Sequence, residues 1–102
     1  MKLLTKENLK NLPELNATEE IALDDKIVQV KFFNPTGRGT WYAVEYDPEE
    51  EMFFGFVSIF GDHNDEWGYF PLAELESFKG TFGLGIERDM SFTPKKFSEI
   101  RI

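Results

Sequence analysis

The stretch Ile27-Val28-Gln29-Val30-Lys31-Phe32-Phe33-Asn34-Pro35-Thr36-Gly37 changes the period of the chain, and two further runs repeat the change: Thr40-Trp41-Tyr42-Ala43-Val44-Glu45-Tyr46 and Met52-Phe53-Phe54-Gly55-Phe56-Val57-Ser58-Ile59-Phe60. Alternation puts Val28, Val30 and Phe32 on one side of the first run and Gln29, Lys31 and Phe33 on the other, as a half-buried strand requires. Asn34-Pro35-Thr36-Gly37 supplies turn chemistry, with Pro at i+1 and Gly at i+3. Asp47-Pro48-Glu49-Glu50-Glu51 makes the next reversal, and Phe54, Phe56 and Phe60 share a face of the third run. Three strands joined by short polar turns read as an antiparallel meander.

Outward from this meander the signals are shorter. Thr5 can cap a helix with apolar positions Leu9 and Leu12, which Pro13 stops within two turns. Asn16–Asp25 reads either as a connecting loop or as one helical turn capped by Thr18. Trp67–Phe70 is a brief fourth strand with Trp67 and Tyr69 on one side. Pro71 then fits the first position of a helix that turns Leu72 and Leu75 inward and ends at Gly80. Ile86–Phe92 is expected as a fifth strand, with Ile86, Arg88, Met90 and Phe92 on one face. The tail from Lys95 forms one helical turn or lies extended. The expectation is a single α+β domain over 1–102: a small, mostly antiparallel sheet of about four to five strands with one or two short helices packed on it.

Composition narrows the chemistry. At 102 residues and 11.9 kDa the chain fits one domain, and 11 Phe, 3 Tyr and 2 Trp are far too many for a disordered one. With no Cys and one His, there is no thiol nucleophile, thiolate zinc site or multi-histidine metal site within one chain. The run Met1-Lys2-Leu3-Leu4-Thr5-Lys6-Glu7 leads into Asn8 and Lys10, not into the apolar core of a secretory signal, and no run of about 18 apolar residues spans a bilayer. A cytoplasmic location is expected, with no membrane partner.

Charge is the stronger lead. The net charge of −8 argues against direct nucleic-acid binding, which draws on Lys and Arg. Between Arg38 and Lys79 there is no basic residue, yet that stretch holds ten carboxylates: Glu45, Asp47, Glu49, Glu50, Glu51, Asp62, Asp65, Glu66, Glu74 and Glu76. Such a block either keeps the surface solvated or steers a basic partner. The expected partner-binding face comprises Glu45, Asp47, Glu49, Glu50, Glu51, Asp62, Asp65 and Glu66.

Other constellations are weaker. Asp62, Asn64 and Glu66 match positions 1, 3 and 5 of a calcium loop, but Trp67 stands where Gly is needed and Ala73 where the bidentate Glu is needed. No metal or cofactor is expected there. His63 has no recognisable catalytic partner, no Ser lies in a nucleophile elbow, and Gly80, Gly83 and Gly85 lack the spacing and Lys of a phosphate loop. No catalytic residue stands out, so the repertoire points away from an enzyme. An inward Arg88 wants a carboxylate, with Glu45 or Glu74 as candidates. With Glu87 and Asp89 it outlines an ion-pair or ligand cluster. Trp41, Tyr42, Trp67 and Tyr69 suggest a stacking platform, but no basic groove accompanies them.

The motifs Val30-Lys31-Phe32-Phe33-Asn34-Pro35-Thr36-Gly37, Thr40-Trp41-Tyr42, Glu45-Tyr46-Asp47, Phe53-Phe54-Gly55, Gly68-Tyr69-Phe70, Leu72-Ala73-Glu74-Leu75-Glu76 and Ile86-Glu87-Arg88-Asp89 resemble, in this order, the domain of unknown function family 2958. Met1-Lys2-Leu3-Leu4 and Pro94 extend the likeness to nearly the whole chain. Members are small bacterial proteins often encoded on plasmids, phages and conjugative elements, sometimes near antirestriction genes. The resemblance implies an accessory role in mobile-element biology and carries over no catalytic residue. Together with the charge layout, it leads to the expectation of a non-enzymatic protein that presents acid to a basic protein surface, such as that of a nucleic-acid-handling enzyme. Mimicry of DNA by surface carboxylates is one form of this. The alternatives are a small-ligand or enzymatic site at Arg88 and a self-associating structural module.

Overall fold

The computed structural model describes residues 2–59 and 65–100. Thr5 starts α1 (Lys6–Asn11) through a reciprocal cap. Its hydroxyl accepts the Asn8 N–H at 3.0 Å, and the Asn8 side-chain oxygen accepts the Thr5 N–H at the same distance. Leu12 is buried, whereas Leu9 is 47% exposed, so the helix docks by its C-terminal end and not by a continuous stripe. The Pro13 carbonyl accepts the Tyr46 N–H at 2.9 Å and fixes that end against the sheet.

The meander is present as β2 (Val30–Phe33), β3 (Thr40–Asp47), β4 (Met52–Ser58) and β5 (Glu66–Pro71). A later strand, β6 (Glu87–Arg88), returns to the far side of β2, giving a five-stranded antiparallel sheet in the order β5-β4-β3-β2-β6. Ahead of it β1 (Ile27–Val28) pairs with β7 (Lys95–Lys96) in a separate two-stranded sheet. The helix α2 (Leu72–Ser77) follows β5 directly, with Pro71 as its N-cap, and ends before Phe78 rather than at Gly80.

Two expectations about strands are corrected. The first run is not one strand: it breaks at Gln29, whose N–H goes to the Ala43 carbonyl at 2.9 Å. Val28 therefore packs in one core cluster while Val30 and Phe32 pack in the other. The fifth strand is also much shorter than Ile86–Phe92. Asp89 ends it by turning its carboxylate back to accept the Ser91 N–H at 2.9 Å, so the alternation stops and Met90 stands 76% exposed. The part of the third run at Phe60 lies outside the described residues.

Each face of the sheet carries a core. On the first face Phe53 is fully buried, stacked on Phe70 at 5.1 Å between centroids, with Tyr46 at 4.6 Å and Phe32 at 5.5 Å. Leu3, Leu12, Leu72, Leu75 and Ile86 cover it. Full burial of each such side chain contributes about 1.5–3 kcal/mol. On the second face Val28, Tyr42 and Val44 pack with Phe56 and Trp67. Phe97, in a single 3-10 turn (Phe97–Glu99), closes over them at 4.8 Å from Phe56 and 4.7 Å from Trp67.

The register of β3 on β4 shifts in the middle. Ala43 faces Gly55 and Glu45 faces Phe54, so Val44 is an extra residue, a β-bulge. Gly55 makes the close approach possible, since a Cβ there would stand 1.9 Å from the Tyr42 carbonyl oxygen. Past the bulge the alternation is inverted. Tyr46 joins Trp41 and Ala43 in the first core, and Glu45 is delivered to the second face beside Phe54.

Candidate functional site

The bulge sinks a carboxylate. Glu45 is 3% exposed, although the charge layout placed it on an acidic surface. It is therefore removed from the expected partner-binding face. The segment between α1 and β1 folds over it as successive turns and a 3-10 turn (Leu23–Asp25), which resolves the reading of Asn16–Asp25 as a connection without an α-helix. Asn16 takes a left-handed backbone, φ 70°, which Asn tolerates better than most residues, and its N–H donates to Glu45 Oε1 at 2.8 Å. The Thr18 N–H donates to Oε2 at 3.0 Å, and the Thr18 hydroxyl donates to the same oxygen.

Lys26, only 4% exposed, completes the cluster. Its ammonium donates to the Thr18 carbonyl and, at 2.9 Å, to the Thr18 hydroxyl, and it lies 5.9 Å from the centre of the Phe54 ring. One threonine thus links a buried acid to a buried base, and no buried side-chain polar atom among the described residues lacks a partner. A satisfied network of this kind orders a loop. Asn16, Thr18 and Lys26 were not foreseen as members. The legible signal was Glu45 itself, a lone acid within Trp41-Tyr42-Ala43-Val44-Glu45-Tyr46.

Beside this network opens a cavity of about 390 Å³, walled by Ile21, Leu23, Phe54 and Tyr69, with Glu19 at its margin and the buried Glu45 and Lys26 on its inner side. Tyr69 is 59% exposed and packs on Phe54 at 5.2 Å.

The remaining carboxylates divide between two ends of the sheet. At one end lies the β3–β4 turn. Asp47 accepts the Glu49 N–H at 3.0 Å, Glu49, Glu50 and Glu51 are exposed, and the Glu51 carbonyl accepts the first N–H of α2, that of Leu72, at 2.9 Å. This tie brings the turn to α2, where Glu74 and Glu76 are exposed. The Tyr46 hydroxyl registers the convergence: its pKa is raised first by burial and then by Glu51, Glu76 and Asp47. Glu14 lines a cavity with Asp47 and Glu49 on the neighbouring surface.

At the other end of β4, Asp65 accepts from the Ser58 hydroxyl at 2.8 Å and from the Ile59 N–H at 3.2 Å, while Glu66 is exposed and pairs with Val57. Burial raises the Tyr42 pKa, with Asp65 adding to it. Asp62 and His63 lie outside the described residues. The seven residues of β4 hold the two ends about 20 Å apart at 3.3 Å per residue, so they do not form one continuous acidic face.

Arg88 is also reassigned. Its guanidinium donates to the carbonyls of Lys2 at 2.7 Å and Leu3 at 2.9 Å, tying the N-terminal segment to the sheet edge. Among the described residues its partners are these carbonyls and not Glu45, Glu74 or Glu87, and Asp89 pairs instead with Lys31 at 3.7 Å. The aromatic platform is likewise divided. Trp41 is buried in the first core and Tyr42 in the second, Trp67 packs on Phe97, and Tyr69 alone of the four is exposed. No group of three or more His, Asp or Glu among the described residues is placed to hold a metal ion, and no described helix is long and apolar enough to cross a membrane.

Comparison with curated proteins and with solved structures gives no match. The family comparison does, over nearly the whole chain, and with the meander, the bulge and the Phe97–Glu99 turn inside the matched residues 3–99, the chain belongs to the protein family of unknown function DUF2958.

Proposed function

We propose that this chain is a non-enzymatic accessory protein of a mobile genetic element, acting in the cytoplasm, that binds a basic surface of another protein through the acidic end formed by Asp47, Glu49, Glu50, Glu51 and Glu76. The observation that carries the reading is the 2.9 Å bond from the Leu72 N–H to the Glu51 carbonyl, which holds the turn of Asp47, Glu49, Glu50 and Glu51 against the start of α2, the helix of the exposed Glu76. Rim charges of this kind raise the rate of encounter more than the lifetime of the complex. Members of the family sometimes stand near antirestriction genes, which supports a nucleic-acid-handling enzyme as the partner, its basic channel being the surface that acids would occupy in place of phosphates.

A tagged chain used to capture proteins from its natural host provides the partner, and its association is then followed against salt. The expected result is a rate that falls as the Debye length shrinks from about 30 Å at 0.01 M to about 8 Å at 0.15 M. A captured partner whose association is indifferent to salt overturns the reading. The ligand-site alternative at Arg88 loses its support, because the guanidinium is engaged with the Lys2 and Leu3 carbonyls.

A further inference from the structure

The cavity beside Glu45 has a chemistry of its own. Its walls are apolar and aromatic, with Ile21 44% exposed, Leu23 45% and Tyr69 59%, so three large apolar side chains stay open to solvent around one opening. Its formal charges are two acids, Glu19 and Glu45, against one base, Lys26. That base is already committed to Thr18 and sits over Phe54, whereas the Tyr69 ring is open to solvent and Glu19 is exposed beside it. The acids Glu20, Asp24 and Asp25 on the same covering segment are exposed as well. An occupant that matches this arrangement carries a long apolar stem, a flat cation able to lie on a tyrosine ring, and two donors for a carboxylate. A guanidinium meets all three conditions, whereas an ammonium offers neither the plane nor the fork.

We infer that this cavity is the socket for an arginine side chain of the basic partner, stacked on Tyr69 and paired with Glu19. The inference rests on the proposed function and deepens it. Asp47 follows Glu45 by two residues on β3, and Leu15 precedes Asn16, so the acidic end and the socket are neighbouring parts of one surface. The end steers the partner and the socket anchors it, as a buried arginine anchors many interfaces.

The test titrates the isotope-labelled chain with an acetylated, amidated peptide carrying two arginines, and with the same peptide carrying citrulline in their place. The arginine peptide is expected to shift the signals of Tyr69, Phe54, Ile21 and Leu23 along saturable curves, and the citrulline peptide to leave them in place. Tyr69→Ala, at an exposed position that leaves both cores intact, is expected to weaken the arginine peptide at least fivefold, and Glu19→Gln to weaken it less. Equal shifts from both peptides, an unaffected Tyr69→Ala variant, or no shift at these residues overturns the socket. Shifts confined to Asp47–Glu51 overturn the socket while leaving the acidic end as the docking surface, so the two readings fail separately.

Discussion

Glu45 and the trio Glu49, Glu50 and Glu51 lie within seven residues of one another, yet they meet opposite environments. The trio is solvated on a turn, with side chains free to present charge to a partner. Glu45, two positions before the turn's Asp47, is 3% exposed and accepts hydrogen bonds from Asn16 and Thr18. The bulge at Val44 turns Glu45 to the second face under the 16–26 segment, whereas Glu49, Glu50 and Glu51 stand on the turn beyond the end of β3. Equal formal charge therefore means different things on a strand and on the turn that follows it. A buried acid is a structural commitment, costly to disturb, while a solvated acid contributes little to stability and is available for recognition.

The largest expected effect breaks the buried half of the comparison. Glu45→Ala strands the N–H groups of Asn16 and Thr18 and leaves Lys26 without its indirect counter-charge, so stability should fall by roughly 3–5 kcal/mol in denaturant unfolding. Glu45→Gln keeps the shape and part of the hydrogen bonding, and the loss should be smaller, about 1–3 kcal/mol. A loss below about 0.5 kcal/mol for the alanine variant, as at ordinary surface positions, would show that the cluster does not hold the loop.

Arg88→Ala comes next. The half-buried guanidinium makes two charge-assisted bonds to carbonyls and frees no buried carboxylate when removed, so the expected loss is about 1–3 kcal/mol instead of the larger penalty of a broken buried pair. Increased protease sensitivity near Lys2 and Leu3, the segment Arg88 ties down, would accompany it.

The acidic end has a pH signature of its own. Burial and then Glu51, Glu76 and Asp47 raise the Tyr46 hydroxyl above its ordinary value of 10.0, so its native pKa exceeds its unfolded one. The stability this contributes is intact below pH 10 and is lost as pH climbs from there through the native pKa, because the unfolded chain releases the proton first. Tyr46→Phe should flatten that alkaline decline, followed as unfolding free energy against pH. Changing Glu51 and Glu76 to Gln should bring the phenol partway down, with burial, the larger cause, keeping it raised.

Much of this architecture is written in local pattern. Phe53 enters the first core and Phe56 the second as the period of β4 demands, Leu72 and Leu75 turn inward from α2, and Pro35 and Pro48 sit in the turns. The site was less legible, because it depends on two irregularities that periodicity cannot carry. The bulge at Val44 inverts every position after it, so Glu45 leaves the face of Trp41 and Ala43 and Tyr46 takes its place there. The break at Gln29 splits one apparent strand between two sheets. Asn16 and Thr18 reach Glu45 from 29 and 27 positions away, Lys26 joins through Thr18, and only tertiary folding brings them there. Arg88 illustrates the converse error: its need for acceptors was readable, but backbone carbonyls met that need as well as a carboxylate would have.

The smallest expected effect on stability belongs to the solvated half. Glu49, Glu50 and Glu51 changed together to Gln should leave the unfolding free energy within about 0.5 kcal/mol per site, since surface substitutions seldom exceed that.

That same triple variant supplies the most direct measurement: its association rate with the captured partner at low salt, set beside those of wild type and Glu45→Gln. Steering by exposed charge predicts a rate about tenfold or more below wild type for the triple variant, and an unchanged rate for Glu45→Gln despite its lower stability. A triple variant that associates as fast as wild type, with Glu45→Gln slowed instead, would contradict the division of labour between the structural carboxylate on β3 and the recognising carboxylates on the turn that follows it.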